Sequence, residues 1–106
     1  MPKGKMFVLS NPTTPAQEAE YNNWYNNIHA GEVCALPGVT GMKRFRAVAG
    51  QLAPGEPKYR YMAVYDLDDA DRALAGLKSA NFNMSDAIDT NDVLAYIYEE
   101  TFTYKK

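Results

Sequence analysis

The spacing of apolar and strand-forming residues predicts four β-strands, at residues 5–10, 39–48, 58–67 and 93–104. The third is the clearest, because large apolar side chains recur at every second position. They are Tyr59, Tyr61, Ala63, Tyr65 and Leu67. Pro54 and Gly55 lie at the centre of a breaker-rich stretch, which predicts a hairpin loop between the second and third strands.

Helical spacing replaces this pattern between the first two strands, where residues 15–34 predict one long helix. Thr14 and Gln17 form a capping box, Pro15 suits the first helical position, and Pro37 ends the helix. On a helical wheel one side is apolar: Tyr21, Trp24, Tyr25, Ile28, Ala35 and Leu36. The opposite side is small or polar: Asn22, Asn23, Asn26, Asn27, Ala30 and Val33.

A second, shorter helix is expected after the third strand, capped by Asp68 or Asp69. Its apolar stripe is Ala70, Ala73, Leu74 and Leu77. Residues 81–92 are polar and turn-rich, with one helical turn expected at 84–88. The order βαββαβ predicts an α+β chain with a ferredoxin-like fold and a four-stranded antiparallel sheet, as a single domain over residues 1–106.

Both faces of the third and fourth strands carry large apolar side chains, which a sheet with one solvent-facing side does not do. Two helices cover only one face of such a sheet. A second copy of the chain is the simplest cover for the other face. The pattern therefore predicts a homodimer with the two sheets packed against each other.

The composition of the chain excludes several classes of partner. The chain has a net charge of −2, with 46% hydrophobic and 23% charged residues, and no Lys/Arg-rich stretch. Nucleic acid and membrane surfaces are therefore not expected partners. The lone Cys34 excludes an internal disulfide and favours a reducing, cytoplasmic location. The single histidine and cysteine give no metal-ligand spacing, so we expect no metal.

Glu32 and His29 form the best chemical pair in the sequence. Glu32 falls in the middle of the apolar side of the first helix and His29 at its edge, three residues away, where the two side chains can meet. Such a pair can move protons near neutral pH. The structural alternative is a buried ion pair, in which Arg44 or Arg46 from the second strand neutralises Glu32.

Arg44 is also a candidate anchor for a substrate carboxylate or phenolate, whereas Arg46 suits a solvent-facing or dimer-bridging role. Aromatic side chains from the helix and the third strand are candidate walls of a small-molecule cavity, with simple core packing as the alternative. They are Trp24, Tyr25, Tyr61 and Tyr65, together with Tyr21.

These residues lie in a motif that resembles the EthD-like members of the dimeric α/β-barrel superfamily. The matching pieces are Trp-Tyr-Asn-Asn-Ile-His-Ala-Gly-Glu-Val from residue 24, Leu-Pro-Gly-Val from 36 and Lys-Arg-Phe-Arg from 43. The resemblance implies a ferredoxin-like monomer, a barrel-forming dimer and a pocket between helices and sheet. It implies His29, Glu32, Trp24 and Arg44 as pocket residues, and no particular reaction. Many relatives in the superfamily carry a catalytic histidine in the later half of the chain, and this sequence has none there.

Three functions follow as hypotheses. The first is a small cofactor-independent enzyme acting on an aromatic or carbonyl-bearing molecule, with Glu32 and His29 as acid and base. The second is a non-catalytic binding or accessory protein that uses the same cavity. The third is a haem-binding protein with His29 as the axial ligand, which the missing later histidine disfavours.

Overall fold

Four strands and two helical segments follow one another in the predicted order, in a computed structural model that describes residues 2–106. The strands are β1 (Gly4–Ser10), β2 (Val39–Arg46), β3 (Tyr61–Leu67) and β4 (Leu94–Glu99). The first helix, as we call residues 15–34, consists of a 3₁₀ turn (Pro15–Gln17), α1 (Glu18–Trp24), a π turn (Tyr25–His29) and α2 (Ala30–Cys34). The second helix is α3 (Ala70–Ser79).

The strands form one four-stranded sheet in the order β2-β3-β1-β4, and every neighbouring pair is antiparallel. The first helix connects β1 to β2, which lies on the far side of β3. Likewise, α3 connects β3 to β4, which lies on the far side of β1. This α+β arrangement confirms the predicted antiparallel sheet and is compatible with the predicted ferredoxin-like fold.

Three of the strands, β2, β3 and β4, are shorter than the hydrophobic pattern predicts. β2 ends at Arg46 rather than at residue 48, and β3 begins at Tyr61 rather than at residue 58. β4 ends at Glu99, well before residue 104, because the register pairs Glu99 with Gly4, the first residue of β1. Residues beyond Glu99 therefore have no β1 residue opposite them, although their alternation continues.

The π turn corrects the helical wheel that the sequence suggested. Val33, expected on the polar side, is 1% exposed, whereas Ile28, expected on the apolar side, is 42% exposed. A π turn adds one residue to a helical turn, so the residues after it are rotated by about 100° from where a regular α-helix places them. Glu32 consequently lies beside the buried stripe instead of at its centre.

The same turn explains a four-residue spacing among the side chains that face the sheet. Tyr21, Tyr25, His29 and Val33 would drift by about 120° over twelve residues of regular α-helix. One extra residue in the turn removes about 100° of that drift, so all four side chains point toward the sheet and its adjoining loop. Three of them are buried and His29 is half-buried.

The helix ends follow the predicted chemistry only in part. The Asp69 carboxylate accepts a hydrogen bond from the Arg72 backbone N–H and caps α3, which confirms one of the two predicted caps. Thr14 instead donates its hydroxyl proton to the Gln17 side chain at 3.0 Å and caps no backbone N–H. Leu74 is 41% exposed, so the buried stripe of α3 is narrower than predicted.

The turn-rich segment at residues 81–92 contains no helical turn, contrary to prediction. Its backbone bonds go instead to the residues that precede the first helix. The Thr13 N–H donates to the Ala87 carbonyl at 2.7 Å, and the Asp89 N–H donates to the Asn11 carbonyl at 3.0 Å. These bonds hold the segment against the start of the first helix.

The two faces of the sheet have different environments. One face packs under the helices and forms the core with their rings; its strand residues include Met6, Tyr61, Ala63, Tyr65 and Leu67. The other, which we call the open face, has no covering layer among the described residues. Its apolar side chains are Phe7, Leu9, Phe45, Met62, Val64, Leu94, Tyr96 and Tyr98.

Within residues 2–106, no helix is long and apolar enough to cross a membrane.

The effects of two substitutions on stability distinguish the helix with its π turn from a regular α-helix. Val33→Ala removes two buried carbon atoms and should lower the free energy of unfolding by about 2 kcal/mol. Ile28→Ala removes more carbon, yet should cost less than about 1 kcal/mol because the side chain is largely exposed. Urea unfolding of both variants measures the difference, and a larger loss for Ile28→Ala would contradict the observed helix.

Candidate functional site

His29 lies in an enclosure of aromatic rings, at the end of the π turn. The Trp24 ring stacks on its imidazole at a centroid distance of 4.5 Å, and the Tyr25 ring meets it edge-on at 5.4 Å. Phe82, from the segment after α3, makes another edge contact at 5.1 Å. These rings leave 13% of the His29 side chain exposed.

Glu32 joins this enclosure from the next turn of the helix. Its Oε1 lies 3.6 Å from His29 Nδ1, as the predicted pairing requires. Its Oε2 accepts a hydrogen bond from the Asn83 backbone N–H at 2.9 Å. The Trp24 indole N–H donates to the Asn83 carbonyl oxygen at 2.6 Å. We call these two bonds the Asn83 clamp, because they hold both backbone polar groups of one residue against the first helix.

The facing atoms of His29 and Glu32 have no other partner. Nδ1 and Oε1 are both buried, and neither makes a hydrogen bond. Their separation of 3.6 Å exceeds that of a formed hydrogen bond, so a small movement of either side chain completes the contact. Buried polar atoms without partners are uncommon in folded proteins and often mark functional positions.

Burial determines the charge of His29. Desolvation lowers the pKa of its imidazole below the usual value of 6.5, and the nearby Glu32 carboxylate offsets only part of this shift. His29 is therefore neutral at pH 7. A neutral imidazole with one nitrogen directed at a carboxylate is the form that a general base requires.

The alternative considered for Glu32, an ion pair with Arg44 or Arg46 of β2, is not formed. Among the described residues, no lysine or arginine lies within ion-pair distance of Glu32, whose neighbour is the neutral His29. Arg44 lies under α1 and the π turn instead. It donates to the Asn26 side-chain oxygen at 2.8 Å and to the Asn22 side-chain oxygen at 3.0 Å.

Arg44 is surrounded by phenol rings. Its guanidinium carbon lies 4.5 Å from the centroid of the Tyr25 ring, 5.0 Å from that of Tyr61 and 5.2 Å from that of Tyr21. Ring faces attract cations, which compensates part of the lost hydration. The Nε atom of Arg44 is buried and has no hydrogen-bond partner.

The predicted site residues thus form two groups that meet at Tyr25. Trp24 and His29, which carries Glu32 beside it, meet the Tyr25 ring nearly at right angles, whereas the Arg44 guanidinium lies over that ring and over the Tyr61 ring. Burial, with the nearby Tyr21 hydroxyl adding to it, raises the pKa of Tyr25 to about 12. Burial also raises the pKa of Tyr65, whose hydroxyl has no hydrogen-bond partner. Both phenols therefore stay neutral in the physiological range.

A further set of hydrogen bonds ties the Arg44 group to the start of the first helix. Tyr61 donates its hydroxyl proton to Glu18 and accepts a bond from Asn22 at 3.2 Å. Glu18 also binds the Arg60 side chain at 3.0 Å. The hydrogen bond from Tyr61 and the nearby Arg60 guanidinium lower the pKa of Glu18.

Sequence reasoning missed the residues that hold these two groups in place. Asn22 and Asn26 were assigned to the polar side of the helix, and Phe82 and Asn83 to a polar turn. The available signal was the density of asparagine in residues 22–27, because asparagine is a poor helix former and four of six positions carry it. No comparable signal marks Phe82 or Asn83.

A cavity of about 380 Å³ opens beside Trp24, between the first helix and the segment after α3. Ile28 and Met84, both largely exposed, form its apolar rim. Glu32, His29 and Arg44 do not line this cavity. Phe82 and the Asn83 clamp cover the His29–Glu32 pair in this conformation. Within residues 2–106, no three His, Cys, Asp or Glu side chains are grouped closely enough to hold a metal ion.

Two solved structures share this fold. An ethyl tert-butyl ether D (EthD) family protein from Bacillus halodurans is 23% identical, with a TM-score of 0.59 over 93% of this chain and 99% of that one. HapK from Hahella chejuensis is 21% identical, with a TM-score of 0.58 over 97% of this chain and 98% of that one. At these identities the likeness shows the fold, and it agrees with the EthD-like resemblance of the sequence. No family model and no curated protein sequence matched the chain.

The lowered pKa of His29 predicts how stability depends on pH. The unfolded chain binds a proton at His29 near pH 6.5, whereas the folded protein binds it only at lower pH. Stability should therefore fall as the pH drops from about 6.5 through the lowered pKa, and this contribution should level off below it. Urea unfolding across this range should show a smaller pH dependence for His29→Gln than for the unaltered protein.

The carboxylate of Glu32 supplies a check on the cause. Since Glu32 raises the pKa of His29, Glu32→Gln should lower that pKa further. Because the chain has one histidine, its imidazole C–H signals give the titration directly by NMR. An unchanged or higher pKa in Glu32→Gln would show that the two groups do not interact.

Proposed function

We propose that the chain is an EthD-like enzyme that transfers a proton on an aromatic or carbonyl-bearing small molecule, with His29 and Glu32 as the acid–base pair. The observation that carries this proposal is the buried pair of facing atoms, Nδ1 and Oε1, neither of which has another partner. A fold that needed Glu32 only as a structural group would leave neither atom unsatisfied.

The proposed step uses only groups of the chain. Neutral His29 takes a proton through Nε2 from a carbon or hydroxyl adjacent to a substrate carbonyl. The imidazolium that forms is stabilised by Glu32, whose Oε1 then completes its bond to Nδ1–H. His29 returns the proton to a different substrate atom, which gives an isomer or assists the departure of water. The balance requires no oxidant or reductant.

The substrate class follows from the surroundings of His29. The stacked Trp24 ring and the edge of Phe82 present flat apolar surfaces, which suit an aromatic or conjugated molecule. Substrate entry requires that Phe82 and Asn83 move away from the pair. The cavity beside Trp24, which Asn83 also lines, is the proposed entrance for the substrate. We retain Tyr25, Tyr61, Tyr65 and Arg44 as the inner boundary of the proposed site.

A non-catalytic binding protein is the second candidate, and the Asn83 clamp favours it. One oxygen of Glu32 already has a structural partner in the Asn83 N–H, so Glu32 is in part a stabilising residue. In that case the same enclosure holds a ligand without changing it.

Two substitutions distinguish these functions. With the true substrate, His29→Gln and Glu32→Gln should each lower kcat by roughly 10²- to 10⁴-fold if the pair transfers a proton. The Gln side chain at position 32 keeps an oxygen for the Asn83 N–H, so the melting temperature should change little. Steady-state kinetics and thermal melts of both variants make the comparison.

Asn27→Ala is the control for this experiment, because its side chain bonds only to Asn23 on the exposed surface of the same helix. It should leave kcat unchanged. Full turnover in both His29→Gln and Glu32→Gln would refute the assignment of this pair as acid and base. A large fall in melting temperature for Glu32→Gln, with a ligand that the unaltered chain binds but does not convert, would favour the binding protein.

We also propose that the open face is the contact between two copies of the chain. Phe45 and Tyr96 are half exposed or more there, on strands at opposite ends of the sheet order. Exposed aromatic residues spread over a whole sheet face are unusual for a monomer and typical of a contact surface. Lys5 and Asp66 pair with each other at one end of this face, which leaves an apolar centre.

Phe45→Asp tests this contact. Phe45→Asp puts a carboxylate on the apolar face that the dimer would bury, so the variant should sediment as a monomer at micromolar concentration while the unaltered chain sediments as a dimer. Leu52→Asp is the control, because Leu52 is fully exposed in the loop between β2 and β3 and should not affect association. A monomeric unaltered chain would refute the dimer.

A further inference from the structure

The π turn needs an explanation from its surroundings. π turns have poorer hydrogen-bond geometry than the α-helix and persist where side-chain contacts stabilise them, frequently at functional sites. Here the turn ends at His29, the residue on which the proposed function depends. The contacts that favour the turn therefore also determine where His29 lies.

Arg44 makes the polar contacts to this part of the helix from the sheet side. Its two terminal nitrogens reach Asn22, one turn before, and Asn26, inside the π turn. The planar guanidinium holds a fixed angle between its donors, so it fixes the relative positions of the two asparagines. A lysine at this position offers the same charge and no such fork.

The same guanidinium contacts His29 indirectly, through one ring. It lies 4.5 Å from the centre of the Tyr25 ring, and the Tyr25 ring meets the His29 imidazole at 5.4 Å. Because Tyr25 is almost fully buried, its ring has no room to move independently of either neighbour.

The partners of the Arg44 guanidinium are neutral groups rather than carboxylates. No carboxylate of the described residues lies within ion-pair distance of it, whereas Arg60 pairs with Glu18. Asparagine oxygens and three ring faces compensate the guanidinium instead. Two of these rings, Tyr21 and Tyr25, belong to the helix that Arg44 supports.

We propose that Arg44 is a positioning residue that fixes the π turn and, through the Tyr25 ring, holds His29 beside Glu32. This inference rests on the proposed function only for its catalytic consequence. The positioning itself is a property of the unliganded chain. It also replaces the prediction that Arg44 anchors a substrate anion.

Arg44→Lys tests the inference, with Arg46→Lys as the matched control. Arg46 lies two residues further along the same strand, is exposed, and makes no side-chain hydrogen bond to the helix. In Arg44→Lys, amide hydrogen exchange in the π turn should accelerate roughly 10- to 100-fold, from the loss of charge-assisted hydrogen bonds. The pKa of the single histidine, measured by NMR, should rise toward its ordinary value as His29 becomes hydrated. Arg46→Lys should change neither.

A second variant is needed because Arg44→Lys could change both measurements simply by unfolding the protein. Asn26→Ala removes one acceptor of the guanidinium and introduces a better helix former, so any local loosening cannot come from helix propensity. It should reproduce both changes, while Asn23→Ala, which alters only an exposed asparagine, should reproduce neither.

An unchanged His29 titration and unchanged exchange in Arg44→Lys and Asn26→Ala would overturn the inference. So would a loss of affinity for anionic ligands in Arg44→Lys with both readouts unchanged, because Arg44 would then be a ligand anchor. The NMR and exchange measurements need no substrate. Failure of the proposed acid–base role, shown by full turnover in His29→Gln, is therefore distinguishable from failure of the positioning role.

Discussion

The arrangement of the first helix depends on how one cation is accommodated inside an aromatic core. Arg44 points from the sheet into the layer where Tyr21, Tyr25 and Tyr61 pack, and a guanidinium half-buried there requires oxygen partners. The helix supplies them with Asn22 and Asn26, which follow the two helical tyrosines by one residue each. Rings and amides therefore alternate around the guanidinium, and the helix can rotate little without losing one set or the other.

The π turn reconciles this requirement with the rest of the helix. Had the helix continued regularly after Tyr25, Val33 would have turned toward solvent and Ile28 toward the core. The extra residue keeps Val33 buried at the cost of exposing Ile28. It also brings His29 under Trp24, where the imidazole loses most of its water and stays neutral at pH 7. The chemistry proposed for His29 is thus a consequence of the same packing.

Sequence reasoning succeeded where the signal is a repeated pattern. The alternation through residues 58–67 and the breaker at Pro54 and Gly55 predict the strands, and the element order predicts the antiparallel sheet. It failed for the faces of the first helix. A helical wheel assumes a constant rotation per residue, and nothing in the sequence pattern locates an inserted residue. For the same reason, the alternative pairing of Glu32 with an arginine of β2 is not formed. With the helix rotated after Tyr25, Glu32 faces Asn83 and His29 instead of β2.

Glu32 combines two roles that are usually given to different residues. Its Oε2 holds the Asn83 backbone, and with Trp24 it fixes the segment after α3 over the site. Its Oε1 faces His29 at a distance just too long for a hydrogen bond. Movement of Asn83 away from the helix would expose His29 and free the Glu32 carboxylate in one step. Because both oxygens belong to one rigid group, the carboxylate could then turn fully toward Nδ1, so opening of the cover and formation of the acid–base pair would be coupled.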